Sequence, residues 1–202
     1  MVAFVLAAAS AASLVAPERF AGFGGDSRQF AFSAFSQGAG VPTVTFVRCR
    51  DGQVEKVVAI HDAASRTEAE RLLAEGRFSD QSRPAPSWID RSYTLEARIG
   101  AAGRVELTLR RRSDGRAKEI YRAPPSSPAA TDLSLWGFSP DGRCAAFRET
   151  LGPTTEFGAK STYVVVDVGR AAAALSRPLK PSSAPPPRSA AGSHATANPD
   201  RQ

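Results

Sequence analysis

Histidine and cysteine, the side chains on which many catalytic and metal sites depend, are scarce in this sequence. The chain has two of each among its 202 residues. His61 stands beside Asp62, with Ser65 close behind. A Ser-His-Asp triad is defined by geometry, however, and no serine lies in a G-x-S-x-G turn. A zinc site needs four ligands at close spacing, which these residues do not supply. We therefore predict no catalytic residue, no metal and no cofactor.

The two cysteines, Cys49 and Cys144, lie far apart in the sequence and outside any C-x-x-C spacing. In an oxidising compartment an even number of cysteines indicates a disulfide. The alternative is two unpaired thiols buried as small apolar side chains. The sequence leaves both open, so Cys49 and Cys144 are a candidate disulfide.

Long apolar runs are also missing. The most apolar stretch, MVAFVLAAASAASLVA at residues 1–16, is shorter than the roughly 20 residues needed to span a bilayer. Its small residues offer cleavage sites around Ala12 or Ala16, although the usual basic start is absent. We predict a signal-peptide-like leader, hence a periplasmic or secreted bacterial protein with no transmembrane span in the mature chain. The alternative is an apolar N-terminal strand or helix.

The excess of positive charge is spread along the chain. The net charge is +6, and four basic residues against one acidic residue in residues 171–202 account for half of it. The body is therefore only mildly basic, and we predict no nucleic-acid partner. Residues 171–202 are rich in proline, alanine and serine. Such a segment buries too little apolar surface to offset its ordering entropy, so we predict a disordered tail.

An internal repeat is the most informative feature present. The segment GFGGDSRQFAF, residues 22–32, aligns without gaps with GFSPDGRCAAF, residues 137–147. Ser-Pro-Asp-Gly in the second copy, ending at Gly142, has the chemistry of a tight turn, so each copy predicts a β-hairpin. We interpret the two aspartates as turn formers rather than calcium ligands. The matched residues are Gly22, Phe23, Asp26, Arg28, Ala31 and Phe32 with Gly137, Phe138, Asp141, Arg143, Ala146 and Phe147.

The rest of the pattern predicts a mainly β fold. Apolar strands follow each hairpin and give repeat units at about residues 20–60 and 134–168, the first with a fourth strand. TYVVVDV in the second unit is typical of a strand buried on both faces. Thr67 and Glu70 have the spacing of a capping box and predict one short helix over residues 66–76. Alternation predicts a meander over residues 91–122.

We predict that these elements together form one domain of antiparallel sheets at residues 17–170. The sequence GFSPDGRCAAF followed by STYVVVDV resembles the repeat of TolB-type β-propellers. In layout the chain is similar to a family of predicted secreted bacterial proteins of unknown function. The resemblance implies blade-like hairpin units that serve as an interaction scaffold. The strands are too few to close a ring. We expect a compact sandwich or barrel-like sheet rather than an open stack of blades, since open stacks expose strand edges.

These observations favour an exported accessory protein that binds a protein or polymer of the cell envelope through a β surface, without catalysis. One alternative is a glycan-acting enzyme with paired carboxylates, Glu149 with Glu156 or Glu96 with Glu106. Another is a structural envelope protein tethered by its tail. The sequence leaves the oligomeric state and the identity of the partner open.

Overall fold

The fold comes from a computed structural model, which describes residues 20–35, 40–152 and 160–178. The predicted leader, the glutamate at position 156 and most of the predicted tail lie outside the described residues. Ten strands are described, and they form three antiparallel sheets. The strands are β1 Ala21–Phe23, β2 Gln29–Phe35, β3 Pro42–Arg48, β4 Val54–Ala59, β5 Tyr93–Ile99, β6 Val105–Arg111, β7 Ala117–Arg122, β8 Ala130–Phe138, β9 Cys144–Leu151 and β10 Lys160–Asp167.

Each sheet corresponds to one segment of the predicted pattern. The first-unit sheet has the order β1-β2-β3-β4, the meander sheet β5-β6-β7, and the second-unit sheet β10-β9-β8. The prediction of a mainly β fold built from two hairpin units and a meander is therefore confirmed. The units differ in one respect: among the described residues, the first has four strands and the second three.

The two hairpins share their hydrogen bonds as well as their sequence. Gly24 N–H donates to the Gln29 carbonyl at 2.9 Å, and the equivalent Ser139 N–H donates to the Cys144 carbonyl at 3.0 Å. Each turn aspartate binds the same backbone position: Arg28 N–H lies 2.9 Å from Asp26 Oδ1. The second copy repeats this bond, with Arg143 N–H at 3.0 Å from Asp141 Oδ1. The repeat is thus structural, and both aspartates form the predicted turns.

The sheets stack face to face, with the second-unit sheet in the middle. On one side, Phe30, Phe32 and Val47 of the first-unit sheet pack against Trp136, Ala146 and Val165. On the other side, Val105 and Leu107 of the meander sheet pack against Phe138, Phe147 and Val166. The triple-valine strand β10 is buried on both faces, as predicted. The arrangement joins features of both expected architectures: each unit is a separate sheet, yet the stack is compact.

The helices differ from the sequence-based expectation. The described residues contain α1 Ala63–Glu75, α2 Ser87–Ser92 and α3 Val168–Ser176, rather than one helix. Helix α1 begins earlier than predicted. Asp62 is its N-cap and forms the capping box with Ser65, so Thr67 and Glu70 were the wrong pair; the predicted end at Gly76 is confirmed. Its buried Ala69 and Leu73 cover the outer face of the first-unit sheet.

Helix α3 corrects the predicted start of the tail at residue 171. Asp167 caps it by accepting a hydrogen bond from Arg170 N–H at 2.7 Å. Its buried Ala171, Ala172 and Leu175 pack on Tyr93 and Leu109 of the meander sheet. Its buried Val168 belongs to the core between the second-unit and meander sheets. These positions follow the i, i+3, i+4, i+7 spacing of an amphipathic helix. Alanine side chains are small but apolar, and together with Val168 and Leu175 they bury enough apolar surface to hold the helix on the sheets.

Two sheet edges are covered by the connection between α1 and α2. Ser79 forms a bridge with Phe23 on the outer edge of β1, and Phe138 N–H on the outer edge of β8 donates to the Arg83 carbonyl at 3.1 Å. Coverage of this kind blocks edge-to-edge association. None of the described helices is both long enough and apolar enough to cross a membrane.

Candidate functional site

A groove of about 540 Å³ runs along the outer edge of β10, the edge strand of the middle sheet. Its floor is β10 from Thr162 to Asp167. One wall is the β3–β4 turn with the start of β4, and the other is β7 with the first turn of α3. The groove therefore lies where the second-unit sheet ends one strand earlier than the first-unit sheet.

The floor exposes backbone hydrogen-bonding groups. In the antiparallel ladder, successive residues face opposite neighbours. Because Cys144 bonds toward β8 through its carbonyl, its neighbours Ala145 and Phe147 bond toward β10, and their partners are Val166 and Val164. Tyr163 and Val165 accordingly turn their N–H and C=O groups away from β9 and into the groove.

Gly52 provides an independent check of this orientation. It has φ +68° in the β3–β4 turn, and a Cβ built on it would lie 2.9 Å from the Val165 carbonyl oxygen. That oxygen therefore points out of the second-unit sheet, as the ladder requires. Only glycine combines this left-handed backbone with such a close approach.

Strand β4 carries two exposed valines, of which Val54 lines the groove. Val54 is opposite Val47 and Val57 is opposite Thr45, so both face the side on which the second-unit sheet lies. They are 58% and 54% exposed, although Val47 beside them is buried. Their exposure indicates that the described part of the second-unit sheet does not cover this face of β4. Exposed aliphatic side chains on a strand that faces a groove are typical of a binding surface.

The opposite wall is also partly apolar. Ile120 and Tyr121 of β7 are partly buried against the core between the sheets, and both line the groove together with Ala171 of α3. A segment in the groove would have apolar side chains on each of its faces and a row of backbone donors and acceptors along one edge. This combination fits a β-strand better than a compact ligand.

Charged groups are concentrated at the C-terminal end of β10. Arg50 precedes the turn that contacts Val165, Arg170 is in the first turn of α3, and Lys118 is opposite Leu109, which packs against α3. All three side chains line the groove and belong to exposed residues.

The carboxylates that line the groove have partners close by. Asp51 lies 2.9 Å from Arg48, and the Arg48 hydrogen bond lowers the pKa of this carboxyl. Glu119 accepts from Arg122 Nε at 2.9 Å, and Asp167 caps α3. Within the described ranges no carboxylate forms an ion pair with Lys118 or Arg170. The end of the groove therefore favours anions.

The repeat residues singled out from the sequence lie elsewhere, at the hairpin end and in the core between the two units. Phe23 packs against Trp136 with ring centroids 5.9 Å apart. The two turns touch, because Asp141 N–H donates to Ser27 Oγ at 3.0 Å. Of the repeat residues, only Phe32 lines the groove. Their role is to join the units, which sets the position of the groove.

Cys49 and Cys144 meet between the two units although they are distant in sequence. Both are buried, free thiols in the core cluster that joins the first-unit and second-unit sheets. A hydrogen bond with the Cys144 thiol, together with burial, raises the pKa of the Cys49 thiol. They border a separate cleft of about 470 Å³ at the hairpin end of the stack. The structure thus brings the two residues of the candidate disulfide together.

The candidate carboxylate pairs form no acid–base site in the part of the chain that is described. Glu96 is bound by Arg110 at 2.7 Å, which lowers its pKa, and Glu106 is bound by Arg98 at 2.6 Å. Glu149 is buried between the second-unit and meander sheets, and desolvation raises its pKa. Its suggested partner at position 156 is outside the described residues. Among those residues, no cluster of three or more potential ligands could hold a metal.

Apart from Phe32, the side chains that line the groove were not among the site residues singled out from the sequence. The difference in strand number between the units was visible, since residues 54–60 gave the first unit a strand that the second lacked. That difference predicts an open edge on β10. The side chains that would line the edge could not be identified, because they come from three sheets whose stacking order does not follow the chain.

Comparisons with known proteins add little. No family model matches the chain, and no curated protein is similar to it. Among solved structures, a crystal structure of a polysaccharide lyase aligns with 69% of this chain at 8% identity and a TM-score of 0.33. The alignment spans 25% of that protein. So low a score supports no transfer of fold or function.

Proposed function

We propose that this protein is an exported binding protein of the bacterial cell envelope that accepts an extended segment of a partner protein as a fourth strand beside β10. The observation that carries the proposal is the open β10 edge at the position where the repeat has β4 in the other unit. Strand addition of this kind takes affinity from main-chain hydrogen bonds and specificity from side-chain contacts.

The repeat supports a specific geometry for the added strand. In the first unit, β4 pairs with β3 in antiparallel orientation, with Lys56 opposite Phe46 and Val58 opposite Val44. By the equivalence of the two units, the segment runs antiparallel to β10. Its residues opposite Tyr163 and Val165 exchange backbone hydrogen bonds with them, and their side chains face Val54 and Val57. The residue between them faces Tyr121.

The envelope location is part of the same proposal and rests on the sequence. The apolar leader-like residues 1–16 and the two cysteines support export. The partner is a protein rather than a polymer, because the edge of a strand pairs with alternating backbone N–H and C=O groups at the spacing of another strand, which a sugar backbone does not carry. No step in this function requires a reaction, so the proposal is of binding without catalysis.

The test uses the full chain and an acetylated, amidated heptapeptide, Ser-Thr-Val-Thr-Val-Thr-Val, measured by isothermal titration calorimetry. Two further peptides carry N-methyl groups at the third and fifth, or the fourth and sixth, positions. Strand addition predicts that one of these peptides loses binding and the other retains it, because alternate amides face β10. Equal loss in both, or no binding of the parent peptide, contradicts the proposal.

A pair of protein variants locates the site. Val54→Thr/Val57→Thr removes apolar surface from β4, in and beside the groove wall, while keeping β-branched side chains. Because both valines are more than half exposed, the substitutions should not destabilise the folded protein. We expect the dissociation constant of the peptide to rise roughly tenfold, which corresponds to a loss of about 1.4 kcal/mol of binding free energy. Ile99→Thr is the matched control, since Ile99 is 37% exposed on β5 and does not line the groove. Equal effects of both variants place the site elsewhere.

A further inference from the structure

We infer that the segment taken up beside β10 carries acidic side chains immediately before its apolar strand residues. This inference rests on the proposed function and specifies the partner. It depends on two observations: the placement of Arg50, Lys118 and Arg170 at one end of the groove, and the antiparallel orientation fixed by the repeat.

The basic residues occupy the C-terminal end of β10. Arg170 is three residues beyond the end of the strand, in the first turn of α3, and Arg50 precedes Gly52, which approaches Val165. At the other end, Tyr121 lies close enough to Glu149 for that carboxylate to raise its pKa, after the larger effect of burial. Glu149 is opposite Thr162, near the start of β10. The lining of the groove is therefore basic at one end and aromatic at the other, where Arg148 and Glu149 of β9 lie nearby but outside the lining.

The carboxylates that line the groove do not neutralise its three basic side chains. Asp51 and Glu119 are each bound by an arginine outside the groove lining, and Asp167 is engaged by the N-terminus of α3. Arg50 is 3.9 Å from Asp51 and its side chain is 74% exposed. The cations therefore remain able to bind carboxylates of a partner.

The orientation of the added segment determines which of its residues lie beside the three basic side chains. An antiparallel segment starts where β10 ends, so its N-terminal residues lie beside the three basic side chains. Acidic residues are favoured there and not at the C-terminal end of the segment. The partner is thus an exposed chain segment with one or two acidic residues followed by alternating apolar residues.

The experiment compares three capped peptides on the full chain: the neutral Ser-Thr-Val-Thr-Val-Thr-Val, the acid-first Asp-Glu-Val-Thr-Val-Thr-Val, and the acid-last Val-Thr-Val-Thr-Val-Glu-Asp. At low salt we expect the acid-first peptide to bind roughly fivefold more tightly than the neutral one, since exposed ion pairs contribute modestly. The acid-last peptide should show no gain. High salt should remove the difference, because the Debye length falls to about 3 Å at 1 M.

A second comparison assigns the effect to the groove. Lys118→Gln/Arg170→Gln should abolish the acid-first advantage, so that the ratio of the acid-first to the neutral peptide's affinity falls to about one. Arg98→Gln is the matched control, since its guanidinium pairs with Glu106 on the outer face of the meander sheet. Equal gain for the acid-first and acid-last peptides, or no gain for either, overturns the inference while strand binding stands. Failure of all three peptides to bind overturns the proposed function itself.

Discussion

The carbonyl oxygen of Val165 points directly at Gly52, and a Cβ at that glycine would lie 2.9 Å from it. The contact joins the β3–β4 turn of the first unit to the edge strand of the second. It holds the turn against one end of the groove and leaves the rest of the β10 edge open.

Gly52→Ala should therefore destabilise the protein more than the same change at Gly115. Both glycines have a left-handed backbone, with φ +68° and φ +69°, but Gly115 has no heavy atom within 4 Å of its added Cβ. The conformational cost, about 1–2 kcal/mol, is common to the two variants, and the clash with Val165 is specific to Gly52. Urea unfolding of both variants measures the difference. Equal destabilisation would show that the turn does not press on β10.

Phe30→Ala should be among the most damaging core substitutions. Phe30 is fully buried and packs against Trp136 and Tyr163 of the second unit, each with ring centroids 5.2 Å away. Loss of a buried phenylalanine typically costs about 3–5 kcal/mol. Ile99→Ala, at a partly exposed site, is the control and should cost far less. Similar unfolding free energies for the two variants would contradict the packing of one unit on the other.

Glu149→Gln should change the pH dependence of stability. Burial raises the pKa of Glu149 in the folded protein, so the folded state binds its proton more strongly than the unfolded chain does. The stability associated with this group is present below its unfolded pKa and is lost as pH rises through the folded pKa. Glutamine removes this loss, so the variant gains stability relative to the parent at pH 7 more than at pH 4. Urea unfolding midpoints of the variant and the parent at pH 4 and pH 7 measure this gain. The same difference in stability at both pH values would contradict the prediction.

Cys49 and Cys144 should form a disulfide when the protein matures in an oxidising compartment. Intact mass of native protein from fractionated cells, with and without reduction, should show loss of the leader and of two hydrogens. In the chain-entropy account, closing a loop of roughly 100 residues stabilises by about 4–5 kcal/mol. Reductant should lower the unfolding free energy of the parent protein and leave that of Cys49→Ser/Cys144→Ser unchanged. A full-length, fully reduced cytosolic chain would contradict export.

Turns and buried strands were well predicted because their chemistry is local. Asp141 and Gly142 specify their hairpin, and three consecutive valines in β10 suit a strand covered on both faces. Helix α3 was missed because alanines within a Pro/Ala-rich composition concealed the spacing from Val168 to Leu175. The predicted start of α1 was wrong because two pairs of residues, Asp62 with Ser65 and Thr67 with Glu70, both have the spacing of a capping box. The prediction used the second pair, and the helix begins at the first.

The candidate site was less accessible to sequence reasoning. Its floor could be anticipated from the strand that the second unit lacks. Its walls depend on the meander sheet packing on the far side of the second-unit sheet, although it precedes that sheet in the chain. No local pattern in Val54 or Tyr121 encodes that order.

Amide hydrogen exchange along β10 tests the central claim most directly, with the full chain compared before and after addition of the acid-first heptapeptide. Addition of a strand predicts that the amides of Tyr163 and Val165 become protected, while those of Val164 and Val166, already bonded to β9, change little. Alternation of this kind arises only from a new strand partner. Unchanged exchange at Tyr163 and Val165 with peptide bound would contradict the account.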